Sequence, residues 1–212
     1  MKILVIGSSR GTGQLLVDEL VRAGHDVRAM IRNPAQGDEL EQAGATPVAG
    51  DLEAEVGPAI EGVDAVAFCA GSGSSTGPDA TLRVDLHGAV RTVDACVELG
   101  VPRFVMLSSM GAGDPLQGRE SIRHYLAAKH AADRILLGSG LDATIVRPGG
   151  LTHDPGTGRV EIGVPRLDRR GTIPRADVAA VMARAFAEPA TVGAVFDVLS
   201  GDQAIDDALS AL

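Results

Sequence analysis

Tyr125 is the one tyrosine in a chain of 212 residues, and Lys129, four residues on, is one of two lysines, the other being Lys2. On a helix, an offset of four puts both side chains on one face. A tyrosine's ordinary pKa is about 10, too high for proton exchange at neutral pH, and a nearby ammonium favours the phenolate. A pair so placed can give a proton to a carbonyl oxygen or take one from an alcohol.

A second group of residues suits a phosphate. The apolar run Ile3–Ile6 reads as a buried strand and leads into Gly7-Ser8-Ser9-Arg10-Gly11-Thr12-Gly13. A helical pattern follows over Gly11–Ala23, with Leu15, Leu16, Val17, Leu20 and Val21 on its apolar face. Gly7 permits the turn out of the strand, Gly11 lets the backbone approach a diphosphate, and Gly13 lets the helix pack close to the sheet. N–H groups at the helix start can hold phosphate oxygens, and Ser8, Ser9 and Thr12 add hydroxyl donors. The next strand, Val27–Ile31, ends where an NAD-preferring site carries an acid for the ribose 2′-hydroxyl. This chain has Arg32-Asn33-Pro34 there instead. A guanidinium can grip a 2′-phosphate with two hydrogen bonds, and Arg10 adds a second positive group. The expected cofactor is NADP(H).

These residues need a scaffold, and the pattern supplies one. Further strands are predicted at Thr46–Ala49, Ala65–Phe68, Phe104–Leu107, Ala143–Val146 and Ala194–Val198. Helices are predicted over Asp79–Leu99, Ser121–Leu137 and Ala176–Ala187, with short helical pieces at Glu39–Gln42 and the C-terminus. Strand–helix alternation without polar alternation inside the strands predicts an α/β fold. It would be a Rossmann-type doubly wound parallel sheet in three layers, one domain over residues 1–212. Gly71–Gly77 reads as a loop at the site edge, and Leu151–Thr172 as an irregular C-terminal substrate flap.

Composition narrows the partners. Nineteen Lys and Arg against 28 Asp and Glu leave a net charge of −9, which disfavours binding to a nucleic-acid backbone. No apolar run is long enough to span a membrane. Cys69 and Cys96 sit in apolar segments and read as buried thiols in a reducing cytoplasm. His25, His87, His124, His130 and His153 form no ligand cluster by spacing, so no metal is expected. The expected protein is a cytoplasmic monomer or homodimer acting on a small-molecule substrate.

The marks together resemble the short-chain dehydrogenase/reductase superfamily, in particular its atypical, NmrA-like branch of NAD(P)-binding Rossmann proteins. The resemblance covers nearly the whole chain. It rests on Gly7–Gly13, Arg32, Gly50-Asp51-Leu52, Ala70-Gly71-Ser72-Gly73, Leu107-Ser108-Ser109, Tyr125 with Lys129, and Arg147-Pro148-Gly149. It implies that Asp51 and Leu52 contact adenine, although Asp51 also suits a helix N-cap. It further implies that Ala70, Gly71 and Ser72 pass beside the cofactor and that Pro148 and Gly149 line its nicotinamide end. Tyr125 becomes the general acid/base, Lys129 also holds the nicotinamide ribose, and Ser109 orients the substrate oxygen. Two features depart from the family pattern. The middle glycine is Gly11, where the atypical branch has it at the position of Arg10, and Met110 stands where related epimerases have a catalytic serine. The implied activity is NADP(H)-dependent oxidoreduction of a small carbonyl or alcohol. The alternatives are a small epimerase or dehydratase, a flavin or quinone reductase, and a non-enzymatic redox sensor. The chain runs about 60 residues past Gly149, so a substrate smaller than a nucleotide sugar is expected.

Overall fold

Alternate residues of each buried strand face opposite sides of one sheet, and this splits the interior into two cores. Ile3 and Val5 of β1 (Lys2–Ile6) point to one face, Leu4 and Ile6 to the other. The computed structural model describes residues 1–73 and 76–212. Ser74 and Ser75, inside the expected site loop Gly71–Gly77, lie outside the described residues. After β1 come α1 (Gly11–Arg22), β2 (Asp26–Ile31), α2 (Gly37–Gln42), β3 (Thr46–Ala49), α3 (Gly57–Ile60) and β4 (Ala65–Phe68). The helical stretch expected over Asp79–Leu99 runs as α4 (Pro78–Ala80), a π-helical segment (Thr81–Gly88) and α5 (Ala89–Leu99). Then follow β5 (Arg103–Leu107), α6 (Arg123–Gly138) and β6 (Asp142–Pro148). The C-terminal part holds β7 (Gly150–Thr152), β8 (Arg159–Gly163), β9 (Thr172–Pro174), α7 (Arg175–Ala185), β10 (Val195–Ser200), β11 (Gln203–Ala204) and α8 (Ile205–Ser210).

Nine strands hydrogen-bond in the order β11-β8-β10-β6-β5-β4-β1-β2-β3. From β3 to β10 all pairings are parallel; β8 runs antiparallel to β10, and β11 antiparallel to β8. One core joins the sheet to α1, α7 and α8 through Leu16, Val17, Leu20, Val178, Met182 and Leu209. The other joins it to α3, α5 and α6 through Ile60, Val93, Cys96, Ala132 and Leu136. This is the expected three-layer Rossmann architecture. Each fully buried Leu, Ile or Val contributes roughly 1.5–3 kcal/mol. The strand order reverses between β1 and β4, and in such sheets ligands bind in the crevice at the carboxyl ends there.

One expectation is corrected. The stretch Leu151–Thr172 is not an irregular flap throughout. Its first and last residues enter a small parallel pair, β7 with β9, and its middle forms β8 of the main sheet. The alternation Arg159-Val160-Glu161-Ile162 turns Val160 into the core, while Arg169 pairs with Glu161 on the exposed side.

Arg103 was not expected inside, yet it is buried at the start of β5. Its guanidinium donates to Asp142 O (2.6 Å), Thr144 Oγ1 (2.8 Å), Ala185 O (2.6 Å) and Thr191 Oγ1 (3.0 Å), and lies 5.8 Å from the Phe186 ring centroid. It thereby ties two strands to the end of α7, at the pole opposite the crevice. Arg103→Met strands those buried acceptors, and urea unfolding is expected to show a loss of about 3 kcal/mol. An unchanged midpoint would deny the network any net role.

Cys96 is buried and Cys69 partly so. Burial pushes both Cys69 and Cys96 up to about 12, so both thiols stay protonated at ordinary pH. Iodoacetamide is expected to alkylate both in denatured protein and neither in folded protein over the same time. The reverse, fast labelling of Cys69 in the folded state, would place that sulfur in a different environment.

Candidate functional site

The glycine turn joins β1 to α1 at the point where the strand order reverses. Gly7 has φ +85°, and a Cβ on it would stand 2.6 Å from Ala70 N, so the turn is pressed against the exit of β4. A Cβ on Gly13 would stand 2.0 Å from Gly7 O, a contact that no other residue type survives. Gly11 differs: its nearest neighbour is the Arg175 side chain at 3.7 Å, so its outer side is open. The Ser8 hydroxyl is taken, donating to Met30 O at 2.9 Å and tying the turn to β2. Ser9 is half-buried and Arg10 exposed, with an Arg10 Nη2 at 3.5 Å from where a Cβ on Gly73 would be. The Thr12 hydroxyl is buried and has no hydrogen-bond partner among the described residues.

On the other side of the crevice, α6 carries Tyr125, Lys129 and Asp133 at steps of four, one stripe of the helix. Tyr125 is half-buried and Lys129 only 2% exposed. The Lys129 ammonium lies 6.0 Å from the centre of the Phe68 ring, at the carboxyl end of β4, near the outer limit for a cation–π contact. Asp133 is fully buried. Its Oδ2 accepts from Ser108 Oγ (2.9 Å), Arg147 Nε (2.9 Å) and Arg147 Nη2 (2.8 Å), while Oδ1 has no partner among the described residues. Burial pushes the Asp133 carboxyl up from its ordinary value, and the Arg147 guanidinium, the Ser108 hydroxyl and the Lys129 ammonium oppose that rise. Ser108 is therefore committed to Asp133. Ser109, half-buried, makes only a long bond to Met110 O at 3.4 Å, so its hydroxyl is the freer of the two. His130 also belongs to this wall: its Nδ1 donates to Ala112 O at 2.7 Å and steadies the loop after β5.

The remaining expected residues stand along the same strand ends. Ala70, Gly71 and Ser72 leave β4; Asp85, buried in the π-helical segment, accepts from Ser72 N at 2.9 Å and stands 3.0 Å from a Cβ on Gly71. Such π turns are frequent where a helix must reshape around a site. Pro148 is buried at the end of β6, and a Cβ on Gly149 would meet Gly171 O at 2.5 Å, which lets the β9 approach pass close by. Arg32 is exposed just beyond β2. Two residues sit less openly than expected. Asp51 is no helix N-cap but accepts from Glu53 N at 2.9 Å in a turn, and Leu52 is buried in the second core against Gly88. Asp85 and Arg175 escaped the sequence reading. Asp133 did too, although its spacing from Lys129 was a usable signal.

The turn fits a dinucleotide diphosphate. Its outer side is open at Gly11, the first turn of α1 carries no acid, and a buried hydroxyl stands without a partner at Thr12. Comparison with known proteins agrees. The family model described as NAD(P)H-binding matches residues 7–189. A curated relative from Bacillus subtilis named an uncharacterized sugar epimerase, YhfK, is 42% identical over 216 residues, covering 100% of both chains. A solved structure from Bacillus halodurans, whose name assigns it provisionally to the NAD-dependent epimerases/dehydratases, has a TM-score of 0.98 at 42% identity, with 100% of each chain covered. Another, named the oxidoreductase YlbE of Lactococcus lactis, has a TM-score of 0.89 at 30% identity, over 100% of this chain and 96% of that one. With the strand order and the glycine turn, these matches make the chain a member of the NAD(P)H-binding Rossmann family, in the atypical branch of the short-chain dehydrogenases/reductases.

Proposed function

We propose that this protein is an NADP(H)-dependent oxidoreductase for a small carbonyl or alcohol, with Tyr125 as the proton donor and acceptor. The observation that carries the reading is the stripe on α6, which sets Tyr125 above a buried Lys129 whose ammonium reaches the end of β4. When bound, the nicotinamide supplies or accepts the hydride at the substrate carbon. The N–H groups at the start of α1, with Ser9, Arg10 and Thr12, hold the diphosphate, and Pro148 and Gly149 line the far end of the crevice. The Tyr125 hydroxyl gives its proton to the carbonyl oxygen, or takes one from an alcohol. Lys129, on the same stripe of α6, supports the Tyr125 hydroxyl and holds a ribose hydroxyl. Ser109 fixes the substrate oxygen. The Asp133–Arg147 pair braces the floor through Ser108. The names of the relatives favour a second reading, an epimerase or dehydratase, which uses the same Tyr125 proton transfer in a transient oxidation. Two thiols in apolar segments, with no disulfide between them, support a cytoplasmic setting.

NADPH oxidation against a panel of aldehydes, ketones, quinones and flavins tests the mechanism. Tyr125→Phe is expected to lower turnover at least about a hundredfold with NADPH affinity retained. Equal turnover in the variant would end the tyrosine mechanism and point to flavin or quinone reduction.

Arg32 carries the preference for the 2′-phosphate, since no carboxylate follows β2. Arg32→Glu is expected to weaken NADPH binding about tenfold or more while NADH binding improves or holds. Unchanged preference, measured by fluorescence titration of both dinucleotides, would move the determinant elsewhere.

A further inference from the structure

Arg175 opens α7, about 160 residues beyond the glycine turn in sequence, yet its side chain lies over that turn. Its Nε is 3.7 Å and its Cδ 3.9 Å from the point where a side chain on Gly11 would begin. That point has a meaning in this fold: the middle glycine lacks a side chain so that the diphosphate can come up to the backbone. Arg175 therefore stands at the edge of the space a diphosphate takes. Its Nη1 is engaged elsewhere, donating to the carbonyl oxygens of Leu151 (3.3 Å) and Thr152 (3.2 Å) in β7. Its Nε and Nη2 make no hydrogen bond among the described residues, and no carboxylate there is in ion-pair distance of it. A guanidinium offers five donors in a planar fork, and the Nε–Nη2 edge is one of the forks that takes two phosphate oxygens at once.

We propose that Arg175 is a diphosphate ligand, presenting its Nε–Nη2 edge to a dinucleotide seated in the glycine turn while Nη1 keeps hold of the strand that opens the C-terminal flap. The assignment rests on the dinucleotide reading of the turn. It also makes occupancy of the turn felt in the flap. Two residues along α7, Asp177 accepts from Thr157 N (2.9 Å), Gly158 N (2.8 Å) and the Thr157 hydroxyl (3.1 Å). The segment from Leu151 to Gly158, whose first residues also pair with β9, is thus gripped at both ends by side chains from the first turn of one helix. Asp177 fixes its far end whether or not a ligand is bound. Arg175 adds to the β9 pairing at its near end and faces the phosphates, so a dinucleotide that draws the guanidinium into a charged pair stiffens the flap entrance.

The test compares wild type with Arg175→Gln and Arg175→Lys, using NADPH by fluorescence titration and two competitors. One competitor, 2′-phospho-ADP-ribose, carries the diphosphate without nicotinamide; the other, 2′-AMP, carries only the adenine end. Arg175→Gln is expected to weaken NADPH and 2′-phospho-ADP-ribose about tenfold each and 2′-AMP less than about twofold, and Arg175→Lys to recover part of the loss. A second readout needs no affinity. Trypsin cuts after arginine, and Arg159 and Arg166 lie in or beside the flap, so NADPH is expected to slow cleavage there in wild type but not in Arg175→Gln. Wild-type affinity for all three ligands in a variant with an unchanged melting temperature overturns the assignment. So does an equal loss for all three, which marks a general effect of charge or folding. Failure of the wild-type protein to bind NADPH at all overturns the dinucleotide reading itself, and is told apart by being seen before any substitution.

Discussion

Between the carbonyl oxygen of Gly7 and the backbone of Gly13 there is no room for a methyl group; a Cβ on Gly13 would stand 2.0 Å from that oxygen. The first turn of α1 therefore lies directly on the last residues of β1. The unpaired N–H groups of that turn sit at a helix start, whose partial positive charge favours an anion. On the other side, Gly7 abuts the exit of β4. The loop that follows β4 is held by Asp85, and the α6 lysine reaches the same strand end. One close approach, possible only because Gly13 has no side chain, thus fixes the mutual placement of β1, α1 and β4, and the rest of the site is assembled around it.

The opposite wall is governed by charge. Lys129, Asp133 and Arg147 are all buried, two positive groups around one negative. Arg147 satisfies Asp133 through two donors to one oxygen, which leaves the second oxygen buried without a partner among the described residues. Removing one member of such a group leaves another buried without compensation, which costs more than the pair itself contributes. The wall is correspondingly intolerant of neutral substitution at Asp133, and its rigidity holds Ser108 and the end of β5 in place beneath the freer Ser109.

Much of this was legible in the residues. The β-branched runs, the glycines between the first strand and helix, and the helical pattern around Tyr125 and Lys129 located the sheet, the glycine turn and α6 without any structure. What escaped had a physical reason in each case. Arg175 is distant in sequence from Gly11 and is brought to it only by the packing of α7 on α1. Asp85 acts from a helix whose bonding shifts to the π pattern at Thr81–Gly88, and no local propensity marks that shift. The strand β8 was hidden among glycines and arginines, although the alternation around Val160 and Ile162 was the signal of a half-buried strand. Asp51 was read as able to cap a helix; no helix begins there, and its carboxylate closes a turn instead. The burial of Arg103 has no local signature at all, because all four of its acceptors come from elsewhere in the chain.

The two ends of the sheet carry a consequence for self-association. A sheet edge is a row of unpaired N–H and C=O groups onto which another chain can add a strand. Here β3 ends the sheet on one side with four residues, and Pro47 among them has no N–H to donate. On the other side the sheet turns antiparallel and stops at β11, two residues long. Both edges are short: β3 has four residues, and β11 covers only Arg159 and Val160 of β8, so the parallel strands at the centre lie several strands in from either edge. An added strand would therefore meet a short or proline-bearing strand before it reached the parallel core.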